Sequence, residues 1–206
     1  MTVGPDGNPY GPEGGAIHLM NEEQERDHVD MLKYRLLDRD PTRRFKAGVA
    51  MASYIADQMY LPDEMELHPA AVLAEIMVKP KTHKTAVIDG ARALAVMGEY
   101  AAEYASDALG QLVNRGDPDA RFEIIRAIQR VGPRSADKTA PALAIAVIDD
   151  DLGTPFLRYQ AALALEVLGR AAAPVAVESL AKAVADPDTD VHNQACRALR
   201  AMGDAA

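Results

Sequence analysis

The sequence DPDARFEIIRAIQRVG, residues 117–132, decides the fold because close variants of it recur along the chain. The variants are AVIDGARALAVMG at 86–98, LRYQAALALEVLG at 157–169 and DVHNQACRALRAMG at 190–203. Each variant ends in a glycine, and the intervals between these glycines are 34, 37 and 34 residues. A period in this range is typical of stacked supersecondary units, so the repeat predicts a solenoid.

Apolar or small residues recur eight, five, four and one positions before each closing glycine. This spacing places them on one face of a helix, and the glycine fits a left-handed residue that ends the last turn. A capping side chain before a proline predicts where these helices begin, at Asp40-Pro41, Asp117-Pro118, Thr154-Pro155 and Asp186-Pro187. The second unit has Lys79-Pro80-Lys81 instead, which predicts a longer turn.

Another apolar helical segment precedes each of these helices, at 22–38, 69–78, 101–115, 139–149 and 173–185. Each unit is therefore a helix, a short Asp-rich turn and a second helix. A single pair of helices cannot bury both of its faces, so the pairs must stack. The predicted fold class is all-α, an α-solenoid of about five stacked antiparallel helix pairs.

The pattern Ala-Pro-x-Leu, then Asp-Pro-Asp, then Arg-x-x-Ala-x-x-Ala-Leu-x-x-x-Gly resembles HEAT repeats. More narrowly, it is similar to the short bacterial HEAT-like repeats named after phycobilisome lyases. The matching residues span 29–203 and include Ala140-Pro141-Ala142-Leu143, Ala173-Pro174, Arg121 and Arg158, with His192 at the arginine position of the last unit. The first unit departs from the pattern, since Ile55 stands where the glycine should be. The resemblance implies a HEAT-like superhelix whose second helices line a concave surface.

Composition limits the possible functions. The formal net charge of −9 argues against general nucleic-acid binding, which needs a basic surface. The one cysteine, Cys196, excludes an intramolecular disulfide, and we expect it to be a small buried core residue. We find no long apolar run and no signal-peptide pattern, so we expect a cytoplasmic protein without a membrane span.

Two segments depart from the repeat. Residues 1–20 are rich in Gly and Pro and predict a flexible tail, in which Tyr10 is the candidate anchor to a partner. The solenoid domain then covers 21–206, with an irregular segment at 57–69. Because this segment mixes apolar residues with acids, we interpret it as an ordered lid, a short extra helix or an exposed docking element that includes Tyr60.

The strongest signal outside the core is the column six residues before each glycine, which points away from the core. It holds Arg92, Arg126, Leu163 and Arg197, and Arg130 and Arg200 lie nearby. Arginine suits bidentate contact with carboxylate or phosphate, so these five arginines are candidate contacts to an acidic or phosphorylated segment of another protein. The alternative is a solvated face whose arginines pair with Asp89 or Glu123.

Other polar residues have simpler interpretations. Arg44, Arg121 and Arg158 stand beside Asp-rich turns, and we interpret them as structural residues that tie turns together. The acids at 149–151 are interpreted as a polar loop, and the histidines lack metal-ligand spacing, so no metal or other cofactor is expected. We find no phosphate-binding loop or catalytic triad pattern.

The sequence therefore predicts a non-enzymatic scaffold or adaptor that binds another protein in its concave groove. Two alternatives stay open. One is a lyase-like or chaperone protein that handles a bound prosthetic group, by analogy with the phycobilin lyases. The other is a nucleic-acid-recognising HEAT-like protein, which the arginine column fits in part and the net charge does not.

Overall fold

The computed structural model describes residues 21–58, 65–149 and 154–203, and these residues form α-helices and short 3₁₀ turns without a strand. The helices are α1 (Glu22–Leu36), α2 (Pro41–Gln58), α3 (Pro69–Met77), α4 (Lys84–Met97), α5 (Ala102–Leu112), α6 (Pro118–Val131), α7 (Ala136–Ala146), α8 (Pro155–Leu168), α9 (Ala173–Ala183) and α10 (Thr189–Met202). The predicted first helices agree with α1, α3, α5, α7 and α9 to within three residues at either end.

The helices form two layers. The first helices α3, α5, α7 and α9 contact one another in sequence order, and so do the second helices α2, α4, α6, α8 and α10. Each first helix also packs on the second helix of its own pair, including α1 on α2. Over the described ranges the chain is therefore an all-α solenoid of five stacked helix pairs, as the sequence predicts.

The repeated apolar columns form the core between the layers. In α6 the side chains of Ile124, Ala127 and Ile128 are fully buried, and Val131 is nearly so. Small residues let neighbouring helices approach closely. The tightest case is Gly110 in α5, where an added Cβ would lie 2.4 Å from the Lys138 carbonyl oxygen of α7.

Side-chain caps begin the second helices. The Asp117 carboxylate accepts from the Ala120 amide, and the Thr154 hydroxyl accepts from the Leu157 amide, as predicted. The longer turn of the second unit is also confirmed, because α4 begins only after His83, whose ring Nδ1 accepts from the Thr85 amide.

The predicted cap of the last second helix is wrong by two residues. Asp188, not Asp186, caps α10 by accepting from the Asp190 and Val191 amides. The Asp186 carboxylate is instead occupied by the Arg158 guanidinium, with Nε to Oδ2 at 2.7 Å, and by the Asp188 amide. Because Arg158 takes this carboxylate, the next aspartate serves as the cap.

Each closing glycine ends its helix with a positive φ, as expected. The ψ angles lie between −133° and −164°, however, so the backbone is extended rather than left-handed helical: Gly98, Gly132, Gly169 and Gly203. This region is close to one that only glycine occupies readily. At Gly98, Gly132 and Gly169 it turns the chain sharply into the 3₁₀ turn that leads to the next first helix.

The arginines near the turns tie turns and helices to one another, which confirms their structural interpretation. Arg158 of α8 reaches Asp186 in the turn before α10, and both side chains are almost completely buried. Arg121 of α6 donates from Nε to the Val113 carbonyl at 3.1 Å, and burial lowers the pKa of its guanidinium while Asp149 acts to raise it. Arg44 of α2 pairs with Glu75 of α3 at 3.2 Å.

Three other predictions concern Cys196, the irregular segment at 57–69 and the N-terminal tail. Cys196 is half-buried rather than buried, because no further unit covers the outer flank of α10 in the described part of the chain. Of the irregular segment, 57 and 58 belong to α2, and Met65 and Leu67 pack partly against the core. The tail 1–20 with Tyr10, and residues 59–64 with Tyr60, lie outside the described residues.

Candidate partner-binding face

The predicted arginines share one face of the second-helix layer. Arg92 of α4 and Arg126 of α6 keep more than half of their side-chain area exposed, at 58% and 56%. Arg130 of α6 and the α10 residues Arg197 and Arg200 are also exposed. These side chains lie opposite the core columns of the same helices, so the structure places all five on the outer surface of the second helices.

Two of these arginines share a carboxylate. Arg92 donates to Glu123 Oε1 from Nε at 2.9 Å and from Nη2 at 2.8 Å, and this bond raises the pKa of Arg92. Arg126 Nη1 lies 3.5 Å from Glu123 Oε2. The Glu123 side chain is only 8% exposed. For Arg92 and Arg126 the structure therefore agrees with the alternative interpretation, in which they pair with Glu123, and this pairing joins α4 to α6.

Amide side chains continue this ladder between the other second helices. Gln129 Nε2 of α6 donates to the carbonyl and to the side-chain oxygen of Gln160 in α8, both at 3.2 Å. Gln194 of α10 donates to the Glu166 carboxylate of α8. We did not predict these contacts from the sequence, although their signal is present as polar residues three and nine positions before the glycines.

The other arginines have no such partner. For Arg130, Arg197 and Arg200 the described part of the chain provides no ion pair. Their guanidinium groups keep all of their donors for an external acceptor or for water. The five candidate arginines thus divide into a structural pair, Arg92 and Arg126, and three free cations on α6 and α10.

An apolar stripe separates these cations, and we did not predict it from the sequence. It runs along the outer side of α8 through Phe156, Tyr159, Leu163 and Val167. Phe156 and Val167 are 55% and 39% exposed, whereas Tyr159 and Leu163 are half-buried. The available signal was Leu163, which interrupts the arginine column, together with helical spacing to its neighbours.

The stripe lies between two basic flanks because α8 packs between α6 and α10. At one edge, the Phe156 ring packs at 5.3 Å between centroids on Phe122 of α6. Arg126 and Arg130 belong to α6 on that side, and Arg197 and Arg200 belong to α10 on the other. We call this region, the α8 stripe with its four flanking arginines, the arginine-flanked stripe.

The acids near this region are held by contacts within the chain. Glu123 is shared by two arginines, and Glu166 accepts from Gln194. Asp119 and Asp190 lie in the first turns of α6 and α10, at the opposite ends of those helices from Arg130 and Arg200. Among the described residues, the surroundings of the stripe are therefore basic, although the chain has a net charge of −9.

The apolar face of α8 also explains a feature of composition that we did not expect from the sequence. The run Pro155–Ala183 is long and apolar enough for a membrane span, with a mean hydropathy of 1.3 over its best window. In the fold this run is α8 and α9, separated by a 3₁₀ turn at Gly169–Ala172, and 44% of the window is buried inside the protein. Core packing and the exposed stripe together account for the high hydropathy.

Among the described residues no group of three or more His, Cys, Asp and Glu side chains is placed to hold a metal ion. Of the acids at 149–151, only Asp149 is described, and it acts on the buried Arg121. A shallow polar hollow lies at the start of α1, lined by Asn21, Glu22, Glu23 and Arg26, far from the arginine-flanked stripe.

No protein-family model matches the chain, and no curated protein matches it. Solved repeat proteins resemble it in fold. An engineered protein is similar with a TM-score of 0.60 and 21% identity, covering 94% of this chain and 51% of its own, so the chain spans about half of that protein. A designed armadillo repeat protein has a TM-score of 0.60 and 16% identity, with 92% and 90% of the two chains covered.

A natural enzyme shares the fold as well. Human deoxyhypusine hydroxylase in complex with glycerol has a TM-score of 0.51 and 18% identity, covering 86% of this chain and 74% of its own. At these identities the likeness concerns the fold alone. The chain is thus an α-solenoid repeat protein.

Proposed function

We propose that this protein is a non-enzymatic, HEAT-like adaptor of the cytoplasm, with repeats of the phycobilisome-lyase type, that binds another protein on its second-helix face. The observation that carries the proposal is the arginine-flanked stripe, in which free cations border an exposed apolar row. The partner presents an acidic or phosphorylated segment to these cations. Arg121, Arg158 and His192 at the HEAT-like arginine position support the assignment to this type of repeat.

Physical chemistry favours a protein partner for such a surface. Contiguous exposed apolar side chains mark interaction sites, and aromatic residues and arginine are enriched at interfaces. A stack of helices presents a long, rigid surface that needs little rearrangement on binding. Nucleic acid fits this face less well, because four arginines on a chain of net charge −9 neutralise few phosphates.

The test compares charge reversals on the two faces. One variant carries Arg130, Arg197 and Arg200 changed to Glu; the control carries Lys33, Lys138 and Lys182, on the first helices, changed to Glu. The net charge changes equally in both. Arg92 and Arg126 are kept, because reversing either would place like charges against the buried Glu123 carboxylate.

Wild type and both variants are immobilised and used to capture proteins from an extract of the source cells, with quantification by mass spectrometry. We expect the control to recover the wild-type partners and the second-helix variant to recover at least about tenfold less of them. Equal recovery by all three proteins, with circular dichroism showing all three folded, would place the interface elsewhere.

A further inference from the structure

We infer that the arginine-flanked stripe receives an acidic amphipathic helix of the partner protein, laid along α8 with its apolar row on the stripe and Asp or Glu residues on both sides. This inference rests on the proposed function and names the chemistry of its partner. It follows from the shape of the apolar row, from the helices that carry the cations, and from the contacts that already hold the nearby acids.

The apolar row has the shape of one side of a helix. Its members are three, four and four residues apart, so they follow α8 over about three turns, or about 16 Å. The row is narrow and straight, and it is bordered by the polar ladder between the second helices. A second helix fits such a row, because side-chain ridges of one helix pack into the grooves of another.

The helices that carry the cations, α6 and α10, lie on either side of the row. Since neighbouring helix axes lie about 8–10 Å apart, the arginines of α6 and those of α10 are separated by about two helix spacings. Acids on both edges of one docked helix would reach both sets at once. A single phosphate group would reach only one set, so the separation favours several spaced carboxylates over one phosphorylated residue.

The face already shows how these guanidinium groups pair. Arg126 lies beside the Glu123 carboxylate on the same surface, and Glu123 also holds Arg92. Arg130, Arg197 and Arg200 have the same donors, and they make no ion pair with another described residue. Carboxylates from outside the chain would complete the pattern, and they would be attracted by the local positive charge.

A second copy of this chain is less suited to the site. Its first turn of α1 is strongly acidic, with Glu22, Glu23 and Glu25. The apolar residues of that helix, Val29, Leu32 and Leu36, are already buried against its own core. An acidic helix from a different protein can instead offer its whole apolar side.

The experiment selects ligands from random peptides, so the partner protein need not be identified first. A display library of random 16-residue peptides is panned on wild-type protein, and selected peptides are measured by fluorescence anisotropy. One variant carries Phe156→Ser and Val167→Ser in the stripe. Its control carries Ile145→Ser and Val175→Ser, which remove exposed apolar side chains from the first helices. A third variant reverses Arg130, Arg197 and Arg200.

The expected pool is enriched in Asp and Glu, with bulky apolar residues recurring at intervals of three and four. The peptides gain helical circular dichroism when they bind. Affinity falls at least about tenfold in the stripe variant and in the arginine variant, and stays at the wild-type value in the control.

Other outcomes overturn the inference in distinguishable ways. Peptides whose affinity depends on the arginines but not on the stripe, or whose apolar residues lack helical spacing, would contradict the acidic-helix inference. They would still agree with the proposed binding face. Peptides that bind every variant equally would count against both. A selected pool without enrichment in acidic and apolar residues would also contradict the inference. So would sedimentation that shows a dimer of the wild type and a monomer of the stripe variant. The cell-extract comparison tests the second-helix face independently of both results.

Discussion

At the scale of single residues, the buried His68 makes the stability of the fold depend on pH. Its Nδ1 accepts from the Ala70 amide at 3.1 Å and caps α3, so the ring must be neutral at that nitrogen. The ring stacks on Tyr104 of α5 with 4.0 Å between centroids, and burial lowers the pKa of His68 from 6.5 to about 4. Protonation therefore breaks a cap and places a charge in the core.

We predict that the free energy of unfolding falls as the pH drops from 6.5 to 4. The pKa of His68 is lower in the folded state than in the unfolded state, so the unfolded chain binds the proton more tightly between pH 6.5 and pH 4. Stability is fully present above pH 6.5, and His68 contributes a loss of about 3 kcal/mol at most. Denaturant unfolding at pH 7 and pH 4.5 measures the loss.

His68→Asn provides the control, because asparagine keeps a capping oxygen but does not titrate in this range. We expect it to be less stable than wild type at pH 7, since the ring stack is lost, and to lose less stability on acidification. If wild type and the variant lose the same amount between the two pH values, the histidine is not the source of the pH dependence.

The sequence predicts which arginine side chains are exposed, but it does not predict their contact partners. The exposure of Arg92, Arg126 and Arg197 follows from a fixed offset within one helix, which the repeat makes visible. The partners of these residues do not follow, because Arg92 meets Glu123 in the next unit, 31 positions along the chain. The stacking of His68 on Tyr104 likewise depends on how α3 and α5 pack.

At the scale of helices, the approach of α5 to α7 depends on Gly110. An added Cβ would lie 2.4 Å from the Lys138 carbonyl oxygen, a backbone atom that can move only with its helix. We predict that Gly110→Ala lowers stability by about 1–3 kcal/mol, because overpacking outweighs the gain in helix propensity of about 1 kcal/mol. Thermal unfolding followed by circular dichroism measures the effect.

Gly90→Ala is the matched comparison. Its added Cβ would lie 2.6 Å from Met77 Sδ, which belongs to a flexible side chain that can rotate away. We expect this variant to be clearly more stable than Gly110→Ala. A Gly90→Ala variant that unfolds at the same temperature as Gly110→Ala, or at a lower one, would show that backbone contact does not set the spacing of α5 and α7.

The sequence predicts helix positions well and their outer surfaces less well. Caps, prolines and closing glycines are local signals, and they locate the helices within a few residues. The α8 stripe was missed because no other unit is apolar at all of these offsets: Asp119 and Asp190 stand at the offset of Phe156, although Phe122 matches Tyr159 and Val96 matches Val167. The capping prediction at Asp186 failed for a similar reason, since Arg158 claims that carboxylate from 28 positions upstream.

At the scale of the whole molecule, stability depends on contacts between neighbouring units, because each unit touches only those beside it. The last unit, α9 and α10, is joined to α8 by the Arg158–Asp186 pair, whose two side chains are 7% and 6% exposed. Burial alone would raise the pKa of Asp186, but Arg158 and the Asp188 amide hold the pKa below its usual value. This pair therefore also helps to position α10, the helix that carries Arg197 and Arg200.

We predict that Asp186→Asn uncouples the last unit, because it removes the negative charge that faces the buried Arg158 guanidinium, at a cost of about 3 kcal/mol. Hydrogen exchange should show lost protection in α9 and α10 and unchanged protection in α4 and α6. The control is Glu178→Gln, which breaks the exposed Lys182–Glu178 pair of α9, also at 2.7 Å, and should leave exchange unchanged. Uniform loss of protection along the chain would instead mean that the stack unfolds as one unit. In that case the stability of the second-helix face at α10 would depend on every helix pair and not only on the adjacent one.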